Sequence, residues 1–192
     1  PDIPLNVSRS ALQSDSNVKK ISSHISKKVS NRLKDMFKKD RSDFEKKWQD
    51  MNIIVEYGML SDEKFYDRSQ EFCLYKTVGD KFYTIQEFTE LIKDNQKNKD
   101  DKLVYLYTNN TDVQHMYISK AQEKGYEILV LDSPIVSHVI QKLESKLDNA
   151  SFVRVDSDII DNLIKKDSKI ESILSEKLQE KLKLLFEKSL TK

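Results

Sequence analysis

Lys102-Leu103-Val104-Tyr105-Leu106-Tyr107, Tyr126-Glu127-Ile128-Leu129-Val130-Leu131 and Ser151-Phe152-Val153-Arg154-Val155 are the stretches of sequence that decide the fold. Each is a short run of aliphatic, β-branched or aromatic residues, which is typical of a buried strand. The segments between them, 111–125 and 132–143, carry helical spacing, and the first ends at a glycine. Strand-helix-strand-helix-strand order with short connections requires parallel pairing and right-handed crossovers. We therefore predict a small three-layer α/β unit with a mainly parallel sheet.

The residues before this unit predict helices. Apolar residues begin at Leu12 and recur in steps of three and four from Val18 to Met36, which places them in one stripe on a long helix. Ser42 and Glu45 have the spacing of a capping box for a second helix, and a third helix is expected after Ser61. We expect the three helices to pack as a short coil with Trp48 in its core, because an indole in register with other apolar residues is more often core than ligand platform.

Two further helices flank the strands of the α/β unit. Thr84 with Glu87 forms a capping box for one of them. The other is an amphipathic helix close to the end of the chain, and its stripe consists of Ile170, Ile173, Leu174, Leu178, Leu182, Leu185 and Phe186. Because such a stripe is poorly stable alone in water, we interpret this helix as the start of a following domain or as a dimer-forming element.

The charge balance excludes some function classes. Lys and Arg total 33 against 32 Asp and Glu, so the net charge is +1 and no overall field attracts nucleic acid or an anionic membrane. Residues 1–41 hold ten basic against four acidic residues, yet Phe37 is the one aromatic among the lysines and no glycine lies there, so a solvated face is preferred over a nucleic-acid adaptor. No long apolar run or signal-peptide pattern is present, which predicts a soluble protein. A single cysteine cannot form an internal disulfide, which makes a reducing cytoplasm the simplest compartment.

Few side chains carry recognisable chemistry. The single cysteine, Cys73, is predicted to be a buried strand thiol, since it has no local base to activate it. His24, His115 and His138 are scattered on predicted helices without close carboxylate or cysteine partners, so the case for a metal site is weak. Glycine-rich phosphate loops, zinc-protease motifs and paired cysteines are absent from the sequence.

Asp132 and Asp156 follow the second and third predicted strands. Ligands bind beyond the carboxyl ends of parallel strands, so these carboxylates are candidates for a cation. The competing interpretation, that both cap turns or helices, is favoured because a serine and a plausible helix start follow each of them. A stand-alone α/β cation- or phosphate-binding module is nevertheless the alternative function.

The opening segment, Pro1-Asp2-Ile3-Pro4-Leu5-Asn6-Val7-Ser8-Arg9, delivers an arginine to the start of the first helix. Two prolines exclude helix until about Leu5. An outward-facing guanidinium here suits an anion supplied by another domain, although a solvated surface arginine is the commoner case. The missing initiator methionine suggests a chain cut from something larger.

The segment Pro4 to Arg9, followed by Leu12-Gln13, resembles the catalytic loop of the ninety-kilodalton heat-shock chaperone family, in particular its bacterial HtpG branch. The likeness continues through Lys27-Lys28-Val29, the helix with Trp48, and the strands at 103–107 and 126–131. It implies the end of a large middle subdomain at 1–9, a helical coil at 10–72, a small α/β subdomain at 73–167, and the start of a C-terminal dimerisation domain at 168–192.

The resemblance also implies a function. Family members are ATP-dependent chaperones that clamp client proteins as homodimers, with ATP and magnesium held in a separate N-terminal domain. Arg9 would contact the γ-phosphate when the domains dock, and Asn6 and Gln13 would support its loop. Gln13 alternatively completes a capping box with Ser10, where relatives usually carry an acidic residue. The segment alone should not hydrolyse ATP.

Client contact is implied for the helix after Asp132. Relatives tend to present an acidic pair and an aromatic there, whereas this chain has Val136, Ser137 and His138. An exposed Val136, with Ile140 one turn later, would still provide an apolar patch for a partly unfolded chain. We therefore take Val136 and Ile140 as the candidate client-binding residues.

Overall fold

The computed structural model describes residues 16–157 of the 192. In chain order the helices are α1 (Ser16–Lys39), α2 (Arg41–Ser61), α3 (Glu63–Ser69), α4 (Ile85–Ile92), α5 (His115–Glu123) and α6 (Val136–Lys146). The strands are β1 (Tyr75–Thr77), β2 (Phe82–Tyr83), β3 (Leu103–Thr108), β4 (Ile128–Val130) and β5 (Ala150–Arg154). Three helices therefore precede an α/β unit, as the sequence predicts. Within the described residues, no helix is both long and apolar enough to cross a membrane.

One five-stranded sheet runs in the order β2-β1-β4-β3-β5. The three predicted strands β3, β4 and β5 pair in parallel, whereas β1 is antiparallel to both of its neighbours. Four of the five strands consequently point the same way, which confirms a mainly parallel sheet. The β1–β2 hairpin was not predicted, because strands of three and two residues are too short to show alternation.

Helices cover both faces of the sheet. Alternate strand residues point to opposite faces, so Val104 and Leu106 pack with Ile118 of α5 in one core cluster. Tyr105 faces the other way, where its ring stacks on Phe152 at 4.7 Å. The larger cluster on that face also takes in residues of α4 and α6, namely Phe88, Ile92, Val139 and Leu143. This arrangement confirms the three-layer prediction.

The helical coil shares the larger core. Trp48 is 3% exposed, which confirms its place inside the coil. The Phe44 ring lies 5.6 Å from the Trp48 ring and 6.5 Å from that of Phe72. Phe44 and Trp48 belong to the same buried cluster as Tyr105 and Phe152 of the sheet, so a continuous core crosses the predicted boundary at residue 72.

The start of α2 differs from the prediction. The N-cap is Asp40 and not Ser42, and the Asp40 carboxylate accepts a hydrogen bond of 3.0 Å from the Asp43 N–H. The backbone of Asp40 is extended, whereas Arg41 is already helical. An aspartate three residues before a free N–H caps as well as a serine does, and Glu45 instead binds Arg41.

Arg41 ties the coil to the α/β unit. Its guanidinium donates two hydrogen bonds to the Glu87 carboxylate, of 2.5 and 2.9 Å, and one of 2.9 Å to the Phe82 carbonyl. The predicted capping box of α4 is present, because Thr84 accepts from the Glu87 N–H while Glu87 accepts from the Thr84 N–H. The carboxylate that caps α4 therefore also anchors α2.

Candidate functional site

The predicted phosphate contact Arg9 and its supporting residues Asn6 and Gln13 lie outside the described residues, as does the predicted amphipathic segment at 168–192. The roles assigned to these residues stay predictions. Three other regions lie within the described residues: the sheet edge with Asp132 and Asp156, the helix after Asp132, and the surface of the coil.

Asp132 and Asp156 do not converge. They follow β4 and β5, and β3 runs between those two strands. The Asp156 carboxylate accepts a 2.5 Å hydrogen bond from Arg154, and the end of β3 is closed by a buried 2.6 Å hydrogen bond from the Thr108 hydroxyl to Gln114. Among the described residues, no three or more His, Cys, Asp or Glu side chains come together as metal ligands would. Asp132 and Asp156 therefore do not hold a cation between them.

Asp132 instead borders a cavity between α2 and the sheet. The cavity has a volume of about 360 Å³ and is lined on its helical side by Trp48, Asn52 and Glu56, spaced one turn apart. The loop after β4 contributes Asp132 and Ser133, and the β1–β2 hairpin forms the remaining wall. This is the place where the helical coil meets the carboxyl end of β4.

Glu56 is the least expected side chain in this region, because it is only 8% exposed. Burial raises the pKa of its carboxyl, the negative charge of Asp132 raises it further, and a side-chain hydrogen bond with Ser133 opposes the shift. One carboxyl oxygen, Oε2, is buried without a hydrogen-bond partner. Sequence reasoning missed Glu56, although an acidic residue after the apolar run Ile53-Ile54-Val55 was a usable signal.

Val136 and Ile140 are only partly buried, and both pack against the larger core. His138, on the same helix, is exposed. Val136 and Ile140 therefore expose only part of their apolar surface to solvent. Their contact with clients stays a prediction.

Larger exposed apolar side chains lie on the coil, in a groove between α1 and α2. Ile25 and Val29 of α1 are 56% and 44% exposed, and Ile54 and Tyr57 of α2 are 71% and 66% exposed. All four line the groove together with Phe65. The apolar stripe predicted along α1 is thus present, but Ile25 and Val29 face the groove and not the core.

The remaining candidates take no part in a site. Cys73 is buried, as predicted, but it lies two residues before β1 and so is not a strand residue. Burial raises the pKa of its thiol to about 12, so the thiolate needed for nucleophilic attack is scarce at neutral pH. The His115 ring contacts the Asp112 carbonyl at 2.8 Å, which is a local contact within the turn that precedes α5.

Comparisons with known proteins identify what this chain is similar to. The family model described as Hsp90 protein matches residues 1–192. The chain is 53% identical over 192 residues to the chaperone protein HtpG of Bacteroides fragilis, covering 100% of this chain and 28% of that protein. It is 49% identical over 187 residues to HtpG of Porphyromonas gingivalis, covering 97% of this chain and 27% of that protein. The chain therefore spans little more than a quarter of these relatives.

A solved structure shares the fold. The middle domain of a heat shock protein from Plasmodium falciparum superposes with a TM-score of 0.57 at 17% identity, covering 74% of this chain and 60% of that one. At this level of identity the likeness concerns the fold alone.

Proposed function

Because the chain belongs to the Hsp90 family, in its bacterial HtpG branch, we propose that it is the middle-domain portion of an ATP-dependent chaperone that clamps client proteins as a cytoplasmic homodimer. The family membership and the middle-domain fold support the chaperone role. The single observation that carries the proposal is the likeness to HtpG over the whole length of this chain at about half its positions.

We assign Arg9 the contact with the γ-phosphate of ATP, which a separate N-terminal domain would hold with magnesium. Arginine suits this task because its planar, permanently charged guanidinium offers several donors to phosphate oxygens. Such an arginine acts only when the domains close and water is excluded, where a fixed positive charge stabilises the transition state most. Asn6 and Gln13 would brace the loop.

The test is ATP turnover by the full-length protein. We expect Arg9→Ala to lower the turnover number by about a hundredfold or more while nucleotide affinity stays nearly unchanged, because the binding pocket lies in the other domain. Arg32→Ala, at an exposed position on α1, is the matched control and should retain full turnover. Unchanged turnover in the Arg9 variant would refute the assignment.

Client contact through Val136 and Ile140 belongs to the same proposal. We expect Val136→Ser combined with Ile140→Ser to weaken suppression of client aggregation by the full-length protein, since apolar surface holds a partly unfolded chain. Circular dichroism of the variant checks folding, because both side chains also pack on the core. Full suppression by a folded double variant would remove these residues from the client surface.

A further inference from the structure

The cavity between α2 and the sheet has the features of a binding site, and the function proposed above gives it no role. It holds about 360 Å³, which is within the range of small-ligand pockets. It lies beyond the carboxyl end of β4, where open α/β sheets bind ligands. Its walls come from both the helical coil and the α/β unit, so an occupant would touch both parts.

The charges around the cavity favour a cation. Glu56, Asp132 and Asp80 line it with a single basic residue, Lys76. The Lys76 ammonium is already paired with Asp80 at 2.7 Å. Glu56 and Asp132 then have no positive partner among the residues that line the cavity, and the charge of Asp132 raises the pKa of Glu56.

Glu56 supplies an independent indication that a donor group belongs here. Its Oε2 is buried without a hydrogen-bond partner, and buried polar atoms of folded proteins are nearly always paired. The side chain is 8% exposed, so water satisfies it poorly. A charged N–H donor entering the cavity would provide the missing partner and offset the repulsion from Asp132.

The aromatic lining selects among cations. Trp48 lines the cavity one turn from Asn52 and two from Glu56, and an indole attracts guanidinium and ammonium groups. Two side-chain amides, two carboxylates without a cation partner and an indole line the cavity, and this set matches an organic cation that has several N–H donors and an apolar stem. We propose that this cavity binds a guanidinium or alkylammonium group, the chemistry of arginine and lysine side chains, with Glu56 as its principal acceptor.

Fluorescence of Trp48, the single tryptophan in the chain, reports binding directly. We expect N-acetyl-arginine amide to shift the emission saturably, with a dissociation constant on the order of 1 mM. The neutral isostere N-acetyl-citrulline amide should bind about tenfold more weakly, because it lacks the charge. Equal binding of the two compounds, or no saturable shift with either, would overturn the proposal.

Variants locate the site. Glu56→Gln should reduce the affinity about tenfold, and Asp132→Asn should reduce it less. Glu90→Gln, at an exposed carboxylate on α4 paired with Lys93, is the matched control and should leave the affinity unchanged. Unaltered affinity in a Glu56→Gln variant that keeps its circular dichroism spectrum would overturn the assignment of Glu56.

The pH dependence provides a readout that a merely structural role of Glu56 would not move. Binding should strengthen as pH rises through the elevated pKa of Glu56, since only the carboxylate attracts a cation. The groups near Glu56 on neighbouring elements are Asp132 and Ser133 after β4, Cys73 just before β1, and Tyr75 at the start of β1. The Glu56→Gln variant should lose this dependence, and its persistence there would contradict the proposal.

Comparing a peptide with the capped amino acid shows whether the cation belongs to a polypeptide or to a free small molecule. A Gly-Ser-Arg-Ser-Gly peptide that binds more tightly than the capped amino acid identifies the side chain of a polypeptide as the occupant. Weaker binding by the peptide identifies a free small cation. Neither result depends on ATP turnover, so the cavity proposal and the chaperone proposal fail separately.

Discussion

Glu56 is a buried carboxyl on α2 whose pKa is raised, chiefly by burial. The folded state keeps the proton to a higher pH than the unfolded chain does, so the free energy of unfolding falls as pH rises from the unfolded pKa through the folded one. We expect Glu56→Gln to raise this free energy by about 1 kcal/mol near pH 8 and to leave it nearly unchanged near pH 4. Urea denaturation at the two pH values measures the difference. Equal effects at both would show that titration of Glu56 does not control stability.

Arg41 is the residue that connects two parts of the molecule. Its hydrogen bonds are the largest cause that lowers the pKa of Glu87, so the stabilisation is present at neutral pH and is lost as pH falls through that lowered pKa. Arg41→Lys removes the two-pronged contact. Because both side chains are about 40% exposed, solvent screening limits the expected loss to about 1 kcal/mol. Arg32→Lys, at an exposed position, should show no loss in the same denaturation experiment, and equal stabilities of the two variants would contradict this role.

Among the elements, α5 is followed by a glycine, Gly125, which lies two residues after the last residue of the helix. Its φ of +76° lies in the left-handed region, which costs a residue with a Cβ about 1 kcal/mol. We therefore expect Gly125→Ala to lower the melting temperature. Gly79→Ala should change it little, because the nearest atom to a new Cβ there is 3.8 Å away and the backbone is ordinary. Equal melting temperatures for the two variants would refute this account.

The elements also show what the sequence can predict. β3, β4 and β5 were predictable because each is a run of strand-forming residues between helical segments, and the α4 capping box because its two partners are local. The start of α2 could not be predicted, since Asp40 and Ser42 are both good N-caps. Which of them caps the helix depends on the distant partners of Arg41. The start of α5 was predicted at Thr111 but lies at His115, because the Asn110 side chain accepts from the N–H groups of Asp112 and Val113 and holds a turn there.

The candidate sites, too, could be predicted from the sequence only where they depend on local residues. The succession of strands and helices along the chain was enough to place Asp132 and Asp156 at the same edge of a parallel sheet. The sequence could not show that β3 separates them, because strand order depends on tertiary packing. Nor could it show that Glu56 reaches the loop after β4, since that contact joins residues 56 and 133 across two parts of the fold.

For the whole molecule, the shared core predicts how the described part unfolds. Trp48 of the coil and Phe152 of the sheet belong to one buried cluster, so the coil and the α/β unit should unfold together. We expect the Trp48 emission and the far-ultraviolet circular dichroism to change at the same urea concentration. Two separated transitions would show that the coil and the sheet are independent folding units.

We propose that this chain supplies half of an ATPase site whose other half lies in a separate domain. The most direct measurement is ATP hydrolysis by this chain, by the N-terminal domain of the same protein, and by their mixture. We predict no turnover by this chain alone, stimulation in the mixture, and loss of that stimulation with Arg9→Ala. Hydrolysis by this chain alone, or stimulation that survives Arg9→Ala, would contradict the claim.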